Sequence, residues 1–256
     1  MAQTPVTTWR VPRENLVLPA VLLGLAALGW WWSARMAHEM VPGMALGSSM
    51  GPASMSLVAF VGAWVAMMAA MMFPAILPVI SIYRRAAGLG RAAPTPIFVA
   101  GYLFVWSAIA IPAFFAWRAT QDSLRHATPG AGRLAGAVLL LAVAYQVSPL
   151  KSVCLKHCRS PMSFFLRQRQ NLRRPIGAVT AGASHGLVCL GCCWALMAVL
   201  VALGTMQLAW MIILAALIFI EKVTPIGERF ARVGAAAFVA LGVILVIHPI
   251  FLSRLT

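Results

Sequence analysis

Seven long apolar runs divide this chain of 256 residues and limit its fold more than any other feature. They fall at about 16–33, 56–82, 97–117, 133–149, 176–203, 206–221 and 233–253. A helix of about 20 apolar residues spans a hydrocarbon core about 30 Å thick. Soluble domains carry about 25% charged residues, whereas this chain carries 10%, with 62% apolar. A single water-soluble core is therefore excluded, and so is a disordered chain. The expected fold is all-α: a polytopic transmembrane helix bundle of about seven spans, forming one domain over residues 1–256. The second and fifth runs are long enough to tilt or kink. Pro19, Pro74, Pro78 and Pro112 lie in or near runs, where neighbouring helices satisfy the carbonyls that proline frees. The first run follows Arg10 and Arg13, ends in Trp30-Trp31-Trp32 and lacks a clean small-residue cleavage site. It reads as a retained helix with an aromatic interface anchor.

The basic residues set the orientation. The formal net charge is +15, from 20 Lys and Arg against 5 Asp and Glu. One set of alternate loops holds Arg10, Arg13, Arg84, Arg85, Arg91, Lys151, Lys156, Arg159, Arg167, Arg169, Arg173, Arg174, Lys222, Arg229 and Arg232. The opposite side holds only Arg35, Arg118, Arg125, Arg133 and Arg254. The positive-inside rule then places the N-terminus in the cytoplasm and the C-terminus outside, across a bacterial inner membrane. No basic–aromatic ladder or finger spacing accompanies these bases, so nucleic acid is excluded as a partner. The lipid bilayer is the partner that the composition requires.

Three sulfur-rich stretches could carry chemistry. On the fifth run, Cys189, Cys192 and Cys193 fall within an arc of about 100° with His185 and Gly182, at 100° per residue. Three thiols and an imidazole thus share one face near mid-membrane. Gly182 and Gly186 form a small-xxx-small pair that permits close helix approach. After the fourth run, Cys154, His157 and Cys158 have i, i+3, i+4 spacing and would face one way on a helix. Surrounding bases would favour thiolate there. On the second run, Met67/Met71 and Met68/Met72 form two i, i+4 thioether pairs. Buried Cys and Met are also ordinary core fillers, but soft sulfur ligands suit Cu(I). Met36, His38, Glu39, Met40, Met44, Met50 and Met55 crowd the stretch between the first two runs, as a collecting site would. Glu221 is the one acid at the end of a predicted span, where pairing with a nearby Lys or Arg is the ordinary role.

Absences narrow the field. The chain has no nucleophile elbow, phosphate-binding glycine loop, HExxH, haem motif or Cys₄ iron–sulfur pattern. An enzymatic role is the less expected one.

These blocks resemble a bacterial integral membrane family, domain of unknown function 2182, described as predicted metal-binding membrane proteins and sometimes as copper chaperones. The matching pieces are Ala70 to Pro74, Tyr145-Gln146 with Pro149-Leu150-Lys151, Cys154 to Pro161, Gly186 to Trp194, and Glu221 to Gly227. The resemblance runs from about residue 56 to 246. It implies metal binding at Cys154, Cys158, Cys189, Cys192 and Cys193.

The functional expectation is a protein that transports or delivers a soft metal, with Cu(I) ahead of zinc or another soft ion. The expected metal residues are Cys189, Cys192, Cys193, His185, Cys154, His157, Cys158, Met67, Met68, Met71 and Met72. A metal carrier, or the subunits of a membrane complex, would be its protein partners. Two readings compete: a structural or assembly subunit of such a complex, and a membrane thiol oxidoreductase using Cys189-Leu-Gly-Cys192 with Cys154 and Cys158.

Overall fold

The computed structural model describes residues 14–45, 56–125, 129–159, 172–203, 208–224 and 226–254. Among these residues every regular element is helical. The helices are α1 Glu14–Ala45, α2 Leu57–Gly88, α3 Thr95–Arg125, α4 Pro129–Gln146, α5 Pro149–Arg159, α6 Pro175–Leu203, α7 Leu208–Val223 and α8 Gly227–Ile247, closed by a 3₁₀ segment Pro249–Arg254. Four stretches are long and apolar enough to cross a membrane: Leu57–Gly88, Thr95–Ala119, Pro175–Leu203 and Arg229–Ile247. Counting α4 and α5 as one span bent by 65° makes five.

Local chemistry explains the boundaries. Ser56 caps α2, its Oγ accepting from Ala59 N at 3.2 Å. The helix then runs through Pro74 and Pro78 without a break. The fourth apolar run behaves differently. It is helical from Pro129 and stops at Gln146, three residues before its expected end. Residues that precede a proline are pushed out of the α region, and Pro149 opens the next helix at the position where its missing N–H costs nothing. Ser148 Oγ accepts from Lys151 N at 3.3 Å and caps that helix. The expected basic loop thus begins as helix, within α5 Pro149–Arg159. Likewise α1 continues to Ala45, so Met36, His38, Glu39, Met40 and Met44 belong to a helix and not to a loop. Met50 and Met55 lie outside the described residues, as do Arg10, Arg13, Arg167 and Arg169.

The closest packing is between α3 and α6. A Cβ on Gly182 would strike Phe98 O and lie 3.0 Å from Tyr102 N. One on Gly186 would stand 3.1 Å from Val105 Cβ, and one on Gly101 would strike Val179 O. The glycine pair read from the sequence therefore does what small residues do in membranes, letting two backbones touch. Large apolar side chains such as Val58, Phe104, Leu141, Ile176 and Val233 cover the outside. That is the surface of a protein that lies among lipid tails. The core collects buried residues from all eight helices and holds all four methionines Met67 to Met72 and four of the cysteines.

Candidate metal centre

The thiol cluster is built from α6 and α5. On α6 the face read from the sequence is buried: Cys189 is 0%, Cys192 2% and Cys193 1% exposed. Cys192 and Cys193 each donate through Sγ to Cys189 O at 3.0 Å, the i−3 and i−4 bonds that short polar side chains make in helices. On α5 the buried face carries Lys151, Leu155 and Cys158. It places the Cys158 thiol beside those of Cys189 and Cys192. Cys193 neighbours Cys189 and Cys192 on the same face. Four thiols from two helices thus form one buried group, and all are free cysteines.

Three further helices add one group each. Met72 of α2, 0% exposed, and Lys222 of α7 meet at the cluster: Lys222 Nζ lies 2.9 Å from Cys189 Sγ and 3.6 Å from Met72 Sδ. Tyr102 of α3 places its hydroxyl 3.2 Å from Cys189 Sγ. The glycine contacts of α3 with α6 allow this approach, because Gly182 and Gly186 flank Tyr102 on the facing helix.

A polar clamp beside the thiols fixes the end of α7. Lys151 Nζ lies 2.6 Å from Glu221 Oε2, and Gln146 Nε2 donates to Glu221 Oε1. Arg159 donates from Nε to Glu221 O at 2.8 Å and from its terminal nitrogen to Thr224 O at 3.0 Å. These are carbonyls that a helix terminus leaves without intrahelical donors. Glu221 therefore faces α4 and α5, while the next residue, Lys222, faces the sulfurs. The pairing of Glu221 with a nearby base is the ordinary role expected of it.

The structure separates the remaining candidates. The second sulfur stretch is helical, but its three residues do not share one environment. Cys158 is buried and His157 is exposed, with its Nδ1 2.9 Å from Val153 O of its own helix. Cys154 is half-buried and turns to α6, where a Cβ on Gly191 would come 3.0 Å from its Sγ. His185 is buried one turn before Cys189, its ring centroid 6.2 Å from that of Tyr102 and 6.3 Å from that of Phe98. Met67, Met68 and Met71 are buried in the core on α2. Among the described residues, no three Cys, His, Asp or Glu side chains are disposed to hold a metal ion as they stand. Cys192 and Cys193 bond instead to Cys189 O, and a lysine amine stands against Cys189 Sγ.

Sequence reasoning missed two contributors. Tyr102 carries no local signal, because its role depends on a glycine contact with another helix. Lys222 was counted as a base of an inner loop. In fact α7 extends past Glu221 to Val223 and carries Lys222 inward, 8% exposed. The unbroken apolar register from Leu208 to Ile220 was the available signal.

The fold and site define a helical membrane protein with a buried, sulfur-rich centre. A family model described as copper chaperone (PpoB2) matches residues 61–245, and the chain belongs to that family, which is of the domain-of-unknown-function-2182 type its motifs resemble. Comparison with curated proteins and with solved structures returns no match.

Proposed function

We propose that this protein binds Cu(I) at the buried sulfur cluster and passes it on by ligand exchange, as a membrane chaperone or transporter. One observation carries the reading: four thiols from α5 and α6 and a thioether from α2 gather in one buried group. Such a donor set is soft, and softness selects Cu(I) over magnesium, calcium or manganese. Cys158, Cys189, Cys192, Cys193 and Met72 are the proposed ligands. Met68 lies one turn before Met72 on the same helix, and Met67 and Met71 form a parallel pair, all buried. Thioethers of this kind supply weaker sites that an ion can leave, which conduction requires. In this reading Cys154, His157 and His185 would serve the passage of the ion to and from that donor set. In the same reading the chain spans a bacterial inner membrane seven times with its N-terminus in the cytoplasm, and a soluble metal carrier exchanges copper with it. The asymmetry of Lys and Arg between alternate loops supports that orientation. Membership of a family described as copper chaperone supports the choice of metal.

The test is to purify the protein in reducing detergent buffer with Cu(I) and measure bound metal by mass spectrometry. Wild type should retain copper, and a Cys189/Cys192/Cys193→Ser triple variant should lose it. Equal, near-zero copper in both would end this reading. A thiol oxidoreductase is the second reading, favoured by the placing of Cys158 on one helix beside Cys189 and Cys192 on another. A stable bridge between α5 and α6 in the same preparation, with no copper held, would support it.

A further inference from the structure

Two sulfurs of the cluster are engaged by an amine. Lys222 Nζ is 2.9 Å from Cys189 Sγ and 3.6 Å from Met72 Sδ. A d¹⁰ ion bonds thiolate sulfur at about 2.3 Å, so an ion reaching both of these sulfurs needs the space that the amine fills. Ion and amine exclude each other. The adjacent carboxylate does not compete for Lys222, because Glu221 faces Lys151 and Gln146. The partners that the contacts show for Lys222 are therefore sulfur atoms. The Lys222 side chain is the movable part of this contact. Its stem is flexible, whereas the backbone beside it is pinned by Arg159 on Glu221 O and Thr224 O. Side-chain motion alone would clear the site.

We propose that Lys222 is a tethered place-holder, its amine filling the sulfur site when no metal is bound and swinging out as Cu(I) enters. The inference rests on the copper reading above and deepens it. The lysine acts as a built-in competitor, which lowers apparent affinity by the fraction of molecules in which it has withdrawn. A competitor of this kind makes release of copper easier.

The test has two arms. In the first, Cu(I) is titrated into wild type, Lys222→Leu and Lys222→Arg in competition with a chromophoric Cu(I) chelator. With the lysine-out state populated at about a tenth or less, Lys222→Leu should bind about tenfold tighter or more, and Lys222→Arg should not. Leucine is chosen because methionine would add a ligand. Binding that is unchanged or weaker in Lys222→Leu, with copper held by wild type, overturns the place-holder and leaves the copper reading standing. No binding by any of the three ends both. The second arm needs no variant. Wild type is treated with an amine-reactive label, with and without Cu(I), and labelled lysines are mapped by mass spectrometry. Lys222 should be protected without metal and labelled with it, while exposed Lys156 labels in both states and buried Lys151 in neither. Equal protection of Lys222 in the two states contradicts the proposal.

Discussion

Lys151 Nζ and Glu221 Oε2 stand 2.6 Å apart with both side chains 3% exposed, tying α5 to the end of α7 inside an apolar bundle. Taking two charges out of water is costly, and the pair holds only because each charge compensates the other. Glu221 also receives Gln146 on its second oxygen. Removing one partner strands the other. Glu221→Leu alone should lower stability by about 3–5 kcal/mol. The double variant Lys151→Met/Glu221→Leu should cost clearly less than the two single losses added together, because neighbours in one network do not act independently. Thermal unfolding in detergent, run as a double-mutant cycle, measures both.

The contact of α3 with α6 gives a second test. A Cβ at Gly182 strikes Phe98 O and crowds Tyr102 N, both backbone atoms that cannot swing aside. Gly182→Ala should therefore destabilise by about 1–3 kcal/mol, as overpacking does. It should also push Tyr102 away from Cys189. Gly62 is the control. It is on α2 with nothing within 4 Å of its would-be Cβ, so Gly62→Ala should be neutral or stabilise by up to about 1 kcal/mol through helix propensity. Equal effects at the two sites would contradict the close approach described.

The split within α5 makes a third. Cys158 stands beside Cys189 and Cys192, whereas Cys154 turns to Gly191 and His157 is exposed. Cys158→Ser should weaken Cu(I) binding by more than the about 10–100-fold that loss of an outer-shell partner costs. His157→Ala should leave it unchanged. Cys154→Ser should fall well short of Cys158→Ser. Competition titration against a chelator orders the three. Equal loss at Cys154 and Cys158 would mean that the two thiols belong to one ligand set.

Much of this was legible in the residue order. Apolar runs gave the helices, because a bilayer leaves the backbone no other open choice. The arc of Cys189, Cys192 and Cys193 follows from 100° per residue, and Gly182 with Gly186 marked the close contact. The breaks were harder. Pro149 starts a new helix where a single longer run and then a loop were expected, since the sequence pattern alone does not show on which side of a proline the chain bends. The facing of Cys158 away from His157 depends on how α5 docks on α6, a tertiary fact with no local code. Lys222 was harder to read, because only the unbroken apolar register before it marked the helix that carries it inward. A base at the end of an apolar run looks like a solvated interface residue until the next helix is in place.

The central claim is that sulfur from separate helices gathers round one copper ion. X-ray absorption at the copper edge, on purified protein loaded with Cu(I), tests it most directly. The account predicts a first shell made of sulfur alone, lost when Cys158, Cys189, Cys192 and Cys193 are all changed to Ser. A first shell of nitrogen or oxygen, or a spectrum that survives those four substitutions, would contradict it.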